Sequence, residues 1–227
     1  MNDHLGQLLD STRALLLDFD GPICHPFAGY PAPDIADDLR AYLQEHVSAV
    51  PRNLHGSDPL ELFRRVARTF PDLKEPVEDR LTDAERKAVQ TARPTPYAHD
   101  LITTVASSGV PVAIVSNNSA AAIGDYFHQH GLTDEIAAVI GRPYGHPNLM
   151  KPNPHMLAQA MNTLNAQPHE TTFVGDSLSD LEAARRAHTR SIGYAKDPTR
   201  VAGLTVAGAD AVVESIGDLV TRWNTHA

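Results

Sequence analysis

The sequence contains a single cysteine, Cys24, so no disulfide can form within the chain. Small secreted folds that depend on disulfides are therefore excluded. Aromatic residues make up only 6% of the chain, and no apolar run approaches the roughly 18 residues that a membrane-spanning helix needs. Positive charge is also scarce: 28 Asp and Glu residues outnumber 19 Lys and Arg residues, which gives a net charge of −9. This balance argues against nucleic acid or an anionic membrane as a partner, but it allows a local basic pocket.

The composition is that of a globular protein, because 42% of the 227 residues are hydrophobic and 21% are charged. This length suits one large domain, or one domain that carries a smaller insert. The first residues lack the basic segment and apolar stretch of a secretory signal. We therefore expect a soluble, cytoplasmic protein, either a monomer or a homodimer.

Six short apolar runs predict buried strands. Continuous apolar runs of this length suit strands covered on both faces, as in a parallel sheet. Helical patterns of apolar residues lie between the later runs, and the alternation predicts a doubly wound α/β layer. The four clear runs are Ala14–Phe19, Val110–Val115, Thr171–Val174 and Asp210–Val213, and the two weaker ones are Ile136–Ile140 and Ser191–Tyr194.

The segment from about residue 23 to residue 93 differs, because it has no strand-like run and contains three helical patterns. Asp58 followed by Pro59 predicts the start of the second helix, and Thr82-x-x-Glu85 predicts a capping box that opens the third. The sequence thus predicts an α/β core over residues 1–22 and 94–227 and an all-helical insert over residues 23–93. An insert at this point would overhang the carboxyl end of the first strand, where α/β sheets bind ligands.

The first strand ends in Asp18-Phe19-Asp20-Gly21. Residues two apart in an extended segment point to the same side, so the two carboxylates can face one substrate. The glycine lets backbone amides approach an anion closely. Taken alone, the motif is also compatible with two solvated loop acids and a turn.

Later segments carry polar residues at comparable positions. Ser116-Asn117 follows the second clear run and could hold phosphate oxygens, Lys151 precedes a helix, and Asp176 and Asp180 follow the third clear run and suit a hard divalent cation. Each has an ordinary structural interpretation as a cap, a surface lysine or a capping box. Some basic residues of the insert could reach a substrate anion, but most are expected on a solvated helix face; they are Arg52, Arg64, Arg65 and Lys74.

The ordered set Asp-x-Asp-Gly, Ser, Lys and Gly-Asp-x-x-x-Asp resembles the haloacid dehalogenase (HAD) superfamily. The similarity is to its phosphatase-like members, such as those related to phosphoglycolate phosphatase and β-phosphoglucomutase, which carry a helical cap after the first motif. It spans residues 14 to about 213, and DFDG and GDSLSD are its specific parts. The resemblance implies a Rossmann-like core, a helical cap domain and a small phosphorylated substrate.

The resemblance also implies roles for individual residues. Asp18 would be the nucleophile and Asp20 the general acid and base. Mg²⁺ would be held by Asp18, the main-chain carbonyl of Asp20, and Asp176. The phosphoryl oxygens would be held by Ser116, Asn117, Lys151 and the Gly21 loop, with Asp180 supporting Lys151 or a metal-bound water.

The motifs exclude one activity of the superfamily, favour another and leave two alternatives open. Dehalogenation is excluded, because dehalogenase-type relatives lack an acid two residues after the nucleophile and Asp20 is present. The expected activity is Mg²⁺-dependent hydrolysis of a small phosphomonoester through an aspartyl-phosphate. A phosphosugar mutase and a non-catalytic phosphoacceptor module stay open as alternatives, although a phosphoacceptor needs neither Asp20 nor an insert.

Overall fold

The computed structural model describes residues 4–226. Residues 1–3 of the predicted core segment 1–22, and residue 227 of the core segment 94–227, therefore lie outside the described range. Six strands form one parallel sheet in the order β5-β4-β1-β6-β7-β8, and two short strands pair antiparallel. The strands are β1 (Ala14–Leu17), β2 (Cys24–His25), β3 (Arg93–Pro94), β4 (Val112–Val115), β5 (Ala138–Ile140), β6 (Thr171–Gly175), β7 (Arg190–Tyr194) and β8 (Ala211–Val213).

Ten α-helices accompany the strands within residues 4–226. None of these helices combines the length and the apolar character that crossing a membrane requires. They are α1 (His4–Asp10), α2 (Ala32–His46), α3 (Pro59–Thr69), α4 (Lys74–Val89), α5 (Ala98–Ser107), α6 (Ala120–His130), α7 (His155–Leu164), α8 (Leu178–Ala187), α9 (Val201–Val206) and α10 (Ile216–His226).

The main sheet is covered on both faces, as its apolar strands predict. Leu15 and Leu17 of β1 pack into a cluster with α1, α5, α6 and α10, while Leu16 between them packs with α7 and α8 on the opposite face. Alternate residues of a strand point to opposite faces, so a strand buried on both sides must be apolar at every position. Each of the six apolar runs overlaps one strand of this sheet, which confirms the predicted doubly wound core.

The segment between β1 and α5 contains α2, α3 and α4, whose apolar residues form a cluster around Phe63 and Leu81 that Met150 also joins. The predicted start of α3 is confirmed: the Asp58 carboxylate accepts hydrogen bonds from the amides of Leu60 and Glu61. The antiparallel ribbon of β2 and β3, which joins the two ends of this segment, was not predicted from the sequence. Runs of two residues carry too little pattern to predict a strand.

The predicted capping box at Thr82 is wrong. The third helix of the segment, α4, begins eight residues earlier at Lys74, so Thr82 and Glu85 lie within it. The Thr82 hydroxyl accepts a hydrogen bond from Arg142, and Glu85 is buried against the same arginine. The two residues of this Thr-x-x-Glu motif therefore contact a distant segment of the chain instead of capping a helix. A local sequence pattern does not reveal such a contact.

Candidate active site

Three adjacent strands deliver polar side chains to one edge of the main sheet. Asp18 follows β1, Ser116 follows β4 and Asp176 follows β6, and the parallel register places these strand ends side by side. They line a cleft of about 310 Å³. The cleft is lined by Asp18, Asp20, Asp58, Leu60, Arg64, Ser116, Asn117, Asn118, Lys151, Asp176, Ser177, Ser179, Asp180, Lys196 and Arg200. The residues predicted to act as nucleophile, acid and base, metal ligands and phosphate-binding groups all lie in this lining except Gly21, which directly follows Asp20 in the chain.

Lys151 lies buried at the centre of the cleft wall. Its Nζ is 2.8 Å from Asp18 Oδ1 and 2.7 Å from Asp180 Oδ1, and it also donates to the Val115 carbonyl at 3.0 Å. Burial would lower the pKa of Lys151, but the charges of Asp18 and Asp180 outweigh it and raise that pKa. The lysine is therefore a fixed positive charge. Its side chain is only 2% exposed, so water hardly screens that charge.

The two carboxylates that share Lys151 have different environments. Burial and the nearby Asp180 charge raise the pKa of Asp18 well above its ordinary value, although Lys151 opposes them. Burial would raise the pKa of Asp180 too, but Lys151 and the hydrogen bonds from Ser177 hold it below its ordinary value. Asp180 is thus the carboxylate of the pair that ionises more readily. The ionisation of Asp18 depends on additional positive charge beside it.

Asp180 joins a helix cap to the lysine. Its Oδ2 accepts from the Ser177 amide at 3.0 Å and from the Ser177 hydroxyl at 2.7 Å, and a capping box opens α8. Its Oδ1 is the atom that pairs with Lys151. One side chain therefore both takes part in the capping box of α8 and contacts Lys151, the lysine that the resemblance leads us to expect it to support.

Asn117 and Arg64 hold the backbone of Lys151. The Asn117 side chain accepts from the Lys151 amide at 2.9 Å and donates to its carbonyl at 3.3 Å, and Arg64 Nη2 donates to that carbonyl at 2.7 Å. The main-chain amide of Asn117 donates to no other described residue, and Asn117 lines the cleft. Arg64 was expected on a solvated face, but this contact gives it a place beside the lysine.

The Ser116 hydroxyl is buried at the bottom of the cleft. It donates to the Asn118 side-chain oxygen at 3.2 Å and accepts from the Asn118 amide at 3.4 Å. Long hydrogen bonds of this kind are easily exchanged for a better acceptor. The arrangement leaves the hydroxyl able to turn towards an anion in the cleft.

Gly21 makes room for Asp176. A Cβ atom on Gly21 would lie 2.6 Å from Asp176 Cγ, and its φ of +107° is unfavourable for a residue with a side chain. The Gly21 amide donates to the Cys24 carbonyl at 2.8 Å. The Gly21 amide is therefore not free to make the predicted contact with phosphate. A glycine is needed here because Asp176 approaches too closely to leave room for a side chain.

Two basic residues that the sequence analysis missed contact Asp176. Lys196 Nζ lies 2.8 Å from Asp176 Oδ2, and Arg200 donates to the Asp176 carbonyl at 2.6 Å. Both follow β7, the strand next to β6 at the same edge of the sheet. Their signal was the weak apolar run Ser191–Tyr194, because polar residues after any parallel strand of the sheet arrive at this edge.

The acidic residues of the cleft could hold a divalent cation. Carboxylate oxygens of Asp18, Asp176 and Asp180 lie within 4.8 Å of one another. Asp180 already uses both oxygens on Lys151 and Ser177, which leaves Asp18 and Asp176 as the better donors. Oxygen ligands and an excess of negative charge are what a hard cation such as Mg²⁺ requires, so the donor set fits the metal.

Asp20 lies at the rim of the acidic group, and burial followed by the charge of Asp176 raises its pKa to about 6. A carboxyl whose pKa is higher in the folded than in the unfolded chain is protonated more easily when folded. Its ionisation therefore destabilises the fold as the pH rises from its ordinary pKa of 3.8 through about 6. A carboxylic acid in this state can donate a proton near neutral pH.

We expect the Asp20→Asn variant to gain stability over the wild type as the pH rises. In metal-free protein the gain should be small at about pH 4 and reach roughly 2–3 kcal/mol above about pH 7, since one pKa unit corresponds to about 1.4 kcal/mol. Denaturant unfolding in the presence of a chelator measures the difference. The exposed Asp134→Asn variant serves as the control. A gain that stays constant with pH would contradict the raised pKa.

A buried ionic cluster anchors α4 to the loops beside the cleft. Arg142 pairs with Glu78 at 3.0 Å and with Glu85 at 2.7 Å, and all three side chains are at most 2% exposed. Glu85 also accepts from the Ser119 amide at 2.9 Å, and Arg142 donates to the Asn117 carbonyl at 3.0 Å. The cluster thereby fixes the loop from residue 116 to residue 119 against α4.

We expect Arg142→Met to cost about 3–5 kcal/mol of stability, because it leaves two buried carboxylates without their partner. The matched control is Arg86→Met, which removes the exposed ion pair between α4 and Asp125 and should cost less than about 1 kcal/mol. Denaturant unfolding of both variants measures the contrast. Equal losses for the two variants would show that the buried cluster has no special weight.

Comparison with known proteins agrees with this geometry at the level of the family and the fold. The family model for haloacid dehalogenase-like hydrolases matches residues 12–188. A phosphoglycolate phosphatase from Vibrio vulnificus strain YJ016 is 29% identical over 125 residues, which cover 55% of this chain and 54% of that protein. A phosphoglycolate phosphatase from Escherichia coli K12 is 24% identical over 125 residues, 55% of this chain and 49% of that protein. The chain thus spans about half the length of the curated relatives it matches.

Solved structures show the same fold over nearly the whole chain. A hydrolase from Pseudomonas syringae superposes with a TM-score of 0.68 at 18% identity, over 94% of this chain and 99% of that one. A haloacid dehalogenase-like family hydrolase from Streptococcus pneumoniae gives a TM-score of 0.65 at 15% identity, over 93% and 98%. With the family model covering most of the sequence and the family's fold throughout, the chain belongs to the haloacid dehalogenase-like hydrolases.

Proposed function

We propose that this hydrolase is a Mg²⁺-dependent phosphatase that cleaves a small phosphomonoester through a phosphorylated Asp18. The observation that carries the proposal is the arrangement around Lys151: its ammonium is 2.8 Å from Asp18, and a second acid with a raised pKa, Asp20, follows two residues later. A nucleophile, a fixed cation and a second acid whose pKa is raised towards neutrality, all at one sheet edge, are the groups that phosphoryl transfer to a carboxylate needs.

The first chemical step uses Asp18 and Asp20. A carboxylate oxygen of Asp18 attacks phosphorus, the bond from phosphorus to the ester oxygen breaks, and Asp20 gives its proton to the departing alkoxide. Lys151, the Ser116 hydroxyl and the Asn117 amide hold the phosphoryl oxygens during the transfer. Their positive charge and hydrogen bonds reduce the repulsion between the substrate dianion and Asp18.

The second step returns the enzyme to its starting state. Asp20, now ionised, takes a proton from a water molecule, whose oxygen attacks the phosphorus of the phosphorylated Asp18. The bond from phosphorus to the Asp18 oxygen breaks, so inorganic phosphate leaves and both carboxyl groups are restored. The raised pKa of Asp20 suits this exchange of acid and base roles.

Asp18, Asp176 and the main-chain carbonyl of Asp20 would hold the Mg²⁺ ion. When bound, the ion supplies positive charge that neutralises the phosphoryl oxygens and keeps Asp18 ionised. Asp180 acts on Lys151 instead, because both of its oxygens are engaged. Lys196, which contacts Asp176 at 2.8 Å, would move aside or share that carboxylate with the ion.

We assign residues 23–93 to a cap domain over a catalytic core formed by residues 1–22 and 94–227. Asp58, Leu60 and Arg64 from the start of α3 border the cleft opposite the strand ends. Side chains from the cap can therefore contact the part of the substrate that leaves, and a closed cap excludes water from the reacting phosphorus.

The test is phosphate release from a panel of phosphomonoesters, with and without Mg²⁺. 2-Phosphoglycolate heads the panel because the curated relatives bear that name, followed by sugar phosphates, nucleotides and p-nitrophenyl phosphate. We expect turnover that requires Mg²⁺ and Asp18. Folded protein that binds Mg²⁺ but releases no phosphate from any ester would overturn the proposal.

A further inference from the structure

A second cavity, of about 510 Å³, shares the lining residue Arg64 with the active-site cleft. It lies where α3 and the start of α4 meet the loop from residue 145 to residue 153 and the end of α8. Five of its lining residues are basic and none carries a carboxylate. The basic residues are Arg64, Arg68, Lys74, His146 and Arg186.

We propose that this cavity binds a diphosphate group, either free or as part of a nucleotide. Four permanent cations border one space in a chain whose net charge is −9. A diphosphate brings several negative charges and many acceptor oxygens, which suits a space bordered by more than one cation. Arginine and lysine are the usual partners of phosphate oxygens. A volume of this size also leaves room for a group attached to the diphosphate.

The cations of the cavity are only partly balanced by the protein. Glu61 lies 3.8 Å from Arg64, and Glu182 lies 2.7 Å from Arg186. Arg68 and Lys74 have no ion pair with any residue in the range 4–226, and both border the cavity. Positive charge without a carboxylate partner inside a concavity is what an anionic ligand would complete.

The cavity is separate from the cleft but touches the same catalytic segment. Arg64 lines both spaces, and its Nη2 donates to the Lys151 carbonyl at 2.7 Å. Pro152, the next residue, lines the cavity. A ligand there contacts both the segment 23–93 and the segment that carries Lys151. Its binding would therefore hold these two segments together.

The experiment is a calorimetric titration with methylenediphosphonate, which cannot be hydrolysed at its bridge, and with adenosine 5′-(α,β-methylene)diphosphate. No divalent cation is added, because the acidic cleft then repels anions and binding reports on the basic cavity. We expect the double variant Arg68→Ala/Lys74→Ala to bind at least about tenfold more weakly than the wild type, since two charge-assisted contacts are lost. The charge-keeping variant Arg68→Lys/Lys74→Arg should restore most of the affinity.

The matched control is Arg80→Ala/Lys87→Ala, which removes two cations of α4 that lie over Tyr42 and Tyr30. It lowers the net charge equally and should leave binding unchanged. Tighter binding of the nucleotide analogue would identify a nucleotide as the ligand, and equal binding would identify free diphosphate. Wild-type protein that binds neither probe, or equal weakening by both alanine variants, would overturn the inference. Binding needs no turnover, so this result is independent of the proposed phosphatase activity.

Discussion

Asparagine in place of Asp18 is expected to reduce phosphate release by at least about a thousandfold, because an amide oxygen cannot replace the carboxylate as nucleophile. The protein should stay folded, since Asp180 still pairs with Lys151 at 2.7 Å. The measurement is the turnover number at saturating substrate and Mg²⁺, together with the unfolding midpoint of the variant.

Two further observations sharpen this test. Asp134→Asn removes an exposed carboxylate and should keep full activity. Rapid acid quenching during turnover of ³²P-labelled substrate should trap label on the wild type and none on Asp18→Asn. If the variant kept more than a tenth of the wild-type rate, Asp18 would not be the nucleophile.

Methionine in place of Lys151 is expected to cost about 3–5 kcal/mol of stability, because it leaves two buried carboxylates facing each other without a cation. Both Asp18 and Asp180 lie within 2.8 Å of the ammonium that is lost. Activity should fall to the background level as well, since the transferring phosphoryl group loses its fixed positive charge. Denaturant unfolding at about pH 8, where unperturbed carboxyl groups are ionised, measures the first effect.

The comparison for this variant is Lys196→Met. Lys196 is 36% exposed and, among residues 4–226, forms an ion pair with Asp176 alone, so its loss should cost less than about 1 kcal/mol. A double variant, Lys151→Met/Asp180→Asn, removes one of the stranded carboxylates and should recover part of the stability. Equal losses for Lys151→Met and Lys196→Met would contradict the central place of Lys151.

The sequence predicted the features that depend on local pattern. Strands that are buried on both faces must be apolar at every position, so β1, β4 and β6 were visible as runs, and so was the edge at which Asp18, Ser116 and Asp176 meet. The meeting of Lys151 with Asp18 was expected from the order of motifs in a known superfamily, because nothing in the local sequence fixes the path of the loop that carries it.

What the sequence did not predict depends on contacts between distant segments. Arg142 lies in a turn-rich stretch, and its pairing with Glu78 and Glu85 needs the packing of α4 against the loops beside the cleft. Glu85 instead matched a local capping motif. Arg64 matched an ordinary solvated helix face, although its guanidinium reaches the Lys151 carbonyl. Spacing within one helix gives the direction of a side chain but not its partner.

The central strand β1 is the first strand of the chain, and its neighbours β4 and β6 are made much later. During synthesis, Asp18 is therefore made long before the strands that flank β1. Pairing across such long loops is slow, because closing each loop costs chain entropy before any contact forms. The helices α2, α3 and α4 can meanwhile collapse around their own apolar cluster. We therefore expect the catalytic centre to be among the last parts of the molecule to form during folding.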